Sequence, residues 1–306
     1  MQIIFYVIIL IAFVFTPVPA YAVKITNIRH LFDITHDFAN PSDVAVSASG
    51  NIYVLDGVNN KIKVFNHSGE YLTSFGREGS NDGEFSQPLG IDVDSAGNIY
   101  VADSGNHRVQ RLDPQGKFAG QIKVPAKSLP SDPTDVAVDE KRNRCYVADN
   151  DNHYILVYGL DTLKLIDTYG TSGSEKRAFR YPFFITLDNK GYLYIVEVIN
   201  TRVQVLNPEG LFVTFIGGWG VEKGEFFRPK GVAIDNNNRV YVSDSYLGVI
   251  QVFDNIGDFN SVVGDNKTGK IKKFKTPVGI CIDRSNRLYV VEMFSDRVGV
   301  YSLESE

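Results

Sequence analysis

Apolar residues in this chain come in short bursts of four to six positions, often alternating with polar ones, and clusters of Gly, Asn, Asp and Ser separate the bursts. A spacing of two predicts strands, and turn residues at such short intervals leave no room for long helices. Between Pro88 and Ile122 the bursts fall at roughly 89–93, 99–102, 109–112 and 117–122, which predicts a four-stranded antiparallel meander. The first turn reads "DSAGN" from Asp94 and "DNKGY" from Asp188, where Gly supplies a positive φ and Asp caps a backbone amide. The counterpart "DEKRNR" from Asp139 is one residue longer and lacks glycine, which predicts a looser hairpin.

This paragraph of sequence is written six times. The copies open at Pro41, Pro88, Pro133, Pro182, Pro229 and Pro277, a period of 45 to 49 residues. Four short strands per repeat of that length predict the blades of a propeller. Three residues before the opening proline stands Phe38, Phe85, Phe179, Phe226 or Phe274, and Pro130 takes that place in copy 3. A large apolar side chain at a fixed offset is suited to plugging the seam between blades. The sixth copy supplies three strands, which leaves an edge with unpaired backbone groups. The segment "VKITNIRHLFDI", Val23 to Ile34, resembles the closing strands of other copies and is expected to complete blade 6 and latch the ring. The predicted fold is all-β: a six-bladed β-propeller of four-stranded antiparallel blades, one domain over residues 23–306.

The fullest copy, "PLGIDVDSAGNIYVADSGNHRVQRLDPQGKF" from Pro88, resembles the NHL repeat, with cousins throughout the chain. The resemblance implies a six-bladed propeller, often secreted or periplasmic in bacteria. It implies a binding platform in most members and a metal-dependent lyase or lactonase in a minority; some animal relatives bind RNA.

The amino-terminal run from Ile3 to Phe15 is apolar and is followed by prolines at 17 and 19 and by "AYA" ending at Ala22. An export signal over 1–22 is expected, cleaved before Val23, because the run is short for a membrane span. The expected location is periplasmic or secreted, with no membrane span after processing. The formal net charge of −5 argues against a general nucleic-acid binder. Cys145 and Cys281 lie in opposite blades and are read as buried, unpaired thiols.

Candidate chemistry is sparse. An acid ends the second strand and a base follows five residues later in Asp56/Lys61, Asp103/Arg108, Glu197/Arg202 and Glu292/Arg297, a repeated pair suited to structural duty. On the innermost strands Asp92 stands where other copies carry Ala, Thr or Cys, and Asp43, Asp92 and Asp135 are weak candidates for a cation. Three inward His or Cys donors for zinc cannot be assembled. No Gly-x-Ser-x-Gly elbow or phosphate-cradling loop occurs. No cofactor and no catalytic residue is assigned.

The loops leading into the innermost strands carry the signal that the repeat does not explain. Into blade 4 run Glu175, Lys176, Arg177 and Arg180, net +2; into blade 5, Glu222, Lys223, Glu225, Arg228 and Lys230, net +1. Into blade 6 run Asp265, Lys267, Lys270, Lys272, Lys273 and Lys275, net +4. The loops into blades 1 to 3 total −3. Tyr181, Phe183, Trp219, Phe227, Tyr246 and Phe294 interleave with the basic half. Basic groups steer an anionic partner and aromatics supply desolvated contact area. The reading is a monomeric, non-catalytic binding or scaffold propeller that takes a protein or other anionic partner on the blade 4 to 6 side. The alternative is a calcium- or zinc-dependent hydrolase or lyase at the channel mouth.

Overall fold

In the computed structural model, which describes residues 23–127 and 129–304, each copy of the repeat folds as one antiparallel sheet. The expected leader at 1–22 lies outside the described residues. Strand β1 (Ile25–Ile34) precedes the first full blade. Blade 1 is β2 (Pro41–Val46), β3 (Ile52–Asp56), β4 (Lys61–Phe65) and β5 (Tyr71–Phe75); blade 2 is β6 (Gly90–Val93), β7 (Ile99–Asp103), β8 (Arg108–Leu112) and β9 (Phe118–Lys123). Blade 3 is β10 (Pro133–Asp139), β11 (Arg144–Asp149), β12 (Tyr154–Gly159) and β13 (Leu165–Tyr169); blade 4 is β14 (Pro182–Leu187), β15 (Leu193–Glu197), β16 (Arg202–Leu206) and β17 (Phe212–Ile216). Blade 5 is β18 (Pro229–Ile234), β19 (Val240–Asp244), β20 (Val249–Phe253) and β21 (Phe259–Asp265), to which the short β22 (Lys270–Ile271) adds. Blade 6 is β23 (Pro277–Ile282), β24 (Arg287–Glu292) and β25 (Arg297–Leu303), completed by β1.

The innermost strands β2, β6, β10, β14, β18 and β23 contact one another in that order and close on themselves, so six blades form a ring. Six apolar clusters fill the six seams. Phe85 is fully buried between Tyr53 and Leu55 of blade 1 and Ile91 and Val101 of blade 2. Phe38, Phe179, Phe226 and Phe274 do the same at four other seams. At the blade 2 to 3 seam, where Pro130 stands, Val124 and Tyr158 join the packing instead.

The amino-terminal strand latches blade 6 as expected, pairing antiparallel with β25 from Ile28↔Leu303 to Ile34↔Val298. Its first residues do something the repeat gives no hint of. Ile25 to Asn27 pair parallel with Val262 to Gly264 of β21, and the hydroxyls of Thr26 and Ser261 are hydrogen-bonded at 2.6 Å in a buried position. Blades 5 and 6 thus share one continuous sheet.

Two expectations are corrected. The hairpin at Asp139 is not loose: its extra residue is absorbed by a 3-10 turn over Glu140–Arg142, capped by the Asp139 carboxylate on the Arg142 amide and closed by Asn143 at φ 53°. In blade 1 the acid Asp56 pairs with Lys63, at 2.9 Å, rather than with Lys61. Lys61 lies opposite Asp56 on the neighbouring strand, but Lys63, two residues further on, also reaches the carbonyls of His36 and Asp37. The other three pairs form as expected, Arg108 to Asp103, Arg202 to Glu197 and Arg297 to Glu292.

Candidate functional site

The acid that ends the second strand of every blade fixes the loop leading into that blade. Asp56, Asp103, Asp149, Glu197, Asp244 and Glu292 accept the backbone amides of Ala39, Ser86, Asp132, Arg180, Phe227 and Lys275. Leading loops and the turns between second and third strands therefore share one face, here called upper, and are held at short range.

Three leading loops have the same internal frame. Phe85 and Arg77, Phe179 and Thr171, and Phe226 and Gly218 are joined by amide-to-carbonyl bonds of 2.7–2.8 Å, each reinforced by a glycine amide returning to the Phe carbonyl. Gln110, Gln204 and Gln251 clamp these loops from the third strand, donating to one loop carbonyl and accepting one loop amide each. Trp219, the single tryptophan of the chain, occupies the place in this frame that Glu78 and Ser172 hold in the other two. It is 74 % exposed on a loop whose backbone is bonded at both ends. A rigidly presented, solvated indole costs little further ordering when a partner covers it.

The predicted basic residues sort into two groups. Lys176 lies over Phe212, Arg177 near Tyr169, and Lys272 over Phe274 and Tyr301; Lys273 donates to the Leu247 carbonyl. Arg180, Lys223, Arg228, Lys270 and Lys275 are exposed. The lysine-rich segment into blade 6 is a β-hairpin extension, with Gly264↔Ile271 and Asp265↔Lys270 paired. Lys230 is half-buried, its ammonium 3.9 Å from the centroid of the Phe183 ring, and burial pushes it down to about 8, aided by the neighbouring Arg228 charge. Phe227 packs against Tyr246 with centroids 4.2 Å apart. Tyr181 donates its amide to Nδ1 of His153, and its ring meets that imidazole edge-on.

Tyr246 and Phe294, expected from the sequence, belong to a set whose other two members, Ile199 and Val58, the sequence reading missed. Two positions after the turn acid, blades 4, 5, 6 and 1 carry Ile199, Tyr246, Phe294 and Val58, each 56–64 % exposed. Blades 2 and 3 carry Gly105 and Asp151 there. With Trp219 and Val221, 62 % exposed, they place exposed apolar side chains on four neighbouring blades, an arc along the upper face. The signal was available: aligning the copies on the turn acid puts Ile, Tyr, Phe and Val at a solvent-facing turn position, where an apolar residue gains nothing from the fold.

The channel is built differently. Asp43 and Asp135 stand two residues after their prolines, with Phe184 at the same register in blade 4, and all three side chains are buried. Asp43 accepts the amide of Ile91 in blade 2, and a side chain on Gly279 of blade 6 would overlap its carboxylate. Asp135 accepts the amide of Ile185 in blade 4 and in the same way occupies the space over Gly90 in blade 2. Asp92 accepts the amides of Val93 and of Val138 in blade 3. Loss of water raises all three acids, Asp43 to about 8 and Asp92 to about 6, while mutual repulsion adds to Asp135. The three candidate cation ligands thus act as ties between blades, and among the described residues no three acidic, His or Cys side chains converge as a metal-holding group. A cavity of about 380 Å³ follows the inner strands towards the opposite face, lined by these three acids and by Ala45, Ala137, Thr186, Ala233 and Cys281. Cys145 is buried and free as expected; Cys281, also free, is only partly buried, because it lines this cavity.

The NHL repeat family matches residues 38–65 and 85–112, in blades 1 and 2. The Drosophila melanogaster protein brain tumor is 27 % identical over 139 residues, which is 45 % of this chain and 13 % of that protein, so the likeness spans a small part of the relative. Among solved structures, a catalytically inactive virginiamycin B lyase from Staphylococcus aureus with quinupristin superposes with a TM-score of 0.63 at 18 % identity, covering 88 % of this chain and 82 % of that one. Hydrazine synthase from Kuenenia stuttgartiensis gives 0.62 at 13 % identity over 87 % and 96 %. A Bacteroides thetaiotaomicron protein of unknown function gives 0.64 at 16 % identity over 92 % and 73 %. At these identities the solved structures share the fold with this chain, and propellers of one design carry unrelated activities.

Proposed function

We propose that this chain, a six-bladed β-propeller built of NHL repeats, is an exported, monomeric binding module that takes an anionic protein partner on the upper face of blades 4, 5, 6 and 1. The observation that carries the reading is the arc of Ile199, Trp219, Val221, Tyr246, Phe294 and Val58, exposed on turns held in place by the acids beneath them. Around it the leading loops of blades 4 to 6 carry net +7, in a chain of net charge −5. An apolar centre with a charged rim is the anatomy of a protein interface. Aliphatic Ile, Val and Val in that centre suit side-chain contact better than the base stacking a single-stranded nucleic acid needs. The alternative, metal-dependent lyase chemistry at the channel mouth, is the weaker reading because its candidate ligands are occupied by backbone amides of neighbouring blades.

The test is capture by variants. Reversal of the free lysines in K270E/K275E is expected to abolish binding of a purified partner while the melting temperature stays within a degree or two, since surface charges contribute about 0–1 kcal/mol to folding. Lys272 is left intact because its ammonium lies over the rings of Phe274 and Tyr301. Unchanged affinity in K270E/K275E and in Trp219→Ala would remove the face from consideration. Export is tested separately by the mass of the amino terminus, expected to begin at Val23.

A further inference from the structure

Lys230 is the residue of the upper face whose position the fold explains least. It is the second residue of β18, where the other inner strands carry Ser42, Leu89, Thr134, Phe183 and Val278. Its ammonium is half-buried against the ring of Phe183 from the neighbouring blade, and among the described residues no carboxylate lies within ion-pair distance of it. Removing an ammonium from water is costly when no counter-charge replaces the hydration. Contact with an aromatic face returns only part of that cost. Arg228 adds a second positive charge nearby, which lowers the Lys230 ammonium further and leaves the pair as an uncompensated positive focus. Arg228 and Lys230 follow closely on Phe227 in the chain, and the Phe227 ring packs at a tilt on Tyr246 of the apolar arc.

We infer that Lys230, seated on Phe183 and flanked by Arg228, is the anion-receiving point of this face and takes a carboxylate of the protein partner while the arc takes the apolar residue next to it. The inference rests on the upper-face reading and adds the chemical identity of the contact. A carboxylate at this point supplies the missing counter-charge, and the rings alongside exclude water from the pair, which strengthens it. A single carboxylate neutralises the half-buried ammonium, and the exposed Arg228 remains free to give a second, forked bond.

Lysine-selective ¹³Cε NMR follows Lys230 during titration with acetyl-Leu-Glu-amide, with acetyl-Leu-Gln-amide as the neutral control and Trp219 emission recorded in parallel. The expected result is a saturable shift of the Lys230 signal, a rise of its titration midpoint in the complex, and at least about tenfold weaker binding of the neutral control, about 1.4 kcal/mol. Lys230→Met, which keeps an unbranched side chain of similar length but removes the charge, is expected to lose that discrimination, and Lys230→Arg to retain it. The inference is overturned if the Lys230 signal shows no saturable shift or if Lys230→Met discriminates like the wild type. It is also overturned if oligouridylate competes at lower concentration than the dipeptide at physiological ionic strength, which would assign the focus to phosphate. A Trp219 response with a silent Lys230 leaves the face standing and removes the anchor. Retained partner binding in K270E/K275E and Trp219→Ala removes the face instead.

Discussion

At the scale of single residues, the fold relies on charged groups placed where water is absent. Glu197 is fully buried and accepts from Arg202, Asn200, Gln204 and the Arg180 amide. Replacing it by Ala leaves Arg202 without its counter-charge and frees the blade 4 loop, so Glu197→Ala is expected to cost about 3–5 kcal/mol, read as a lowered midpoint in denaturant. The acids of the channel work in the opposite sense. A carboxyl whose pKa is raised by folding keeps its proton at pH values where the unfolded chain has released it, so stability falls as pH rises between the two values. For Asp43 that window runs from 3.8 to about 8, and for Asp92 from 3.8 to about 6. Wild-type melting temperature is therefore expected to fall between pH 5 and pH 8, and Asp43→Asn to flatten part of that slope; a slope left unchanged in Asp43→Asn would contradict this account of the channel. The repeated acids were plain in the sequence because they recur at one register. Lys63 was not, because in its place three other blades use Gln110, Gln204 and Gln251, and a change of residue type hides a shared geometry.

At the scale of elements, the latch decides whether the ring is closed. β1 gives blade 6 its fourth strand and ties blade 5 to it through Thr26 and Ser261. A chain beginning at His36 loses the buried Ile34 and uncovers the edge of β25, a template for pairing with other chains. Such a chain is expected to melt broadly and to aggregate, measured by calorimetry and light scattering; a sharp transition at the wild-type temperature would show that the strand is dispensable. The antiparallel half of this latch was legible from the missing fourth strand of the last copy. The parallel half was not, since three residues pairing with a neighbouring blade follow no repeat. The seam phenylalanines were legible for the converse reason: five copies of one large apolar residue at one offset serve one place in the packing, and Phe85→Ala is expected to cost about 3–5 kcal/mol.

At the scale of the whole molecule, the ring turns a linear repeat into two faces with different properties. Residues that serve the blade recur, and residues that serve the face need not, so departures from the repeat mark the working surface. The basic bias of three loops and the lone Trp219 were visible in this way. Of the arc, Tyr246 and Phe294 stood out in the same way, whereas Ile199 and Val58 became visible only when the turns were placed side by side around the ring. The measurement that bears most directly on the account is the hydrogen-exchange footprint of a purified, bound partner on this protein. The account predicts protection confined to the upper turns and loops at 171–181, 198–201, 217–228, 245–248 and 266–276, with 293–296 and 57–60 at its margin. Protection centred instead on the channel cavity or on the loops of blades 2 and 3 would contradict it.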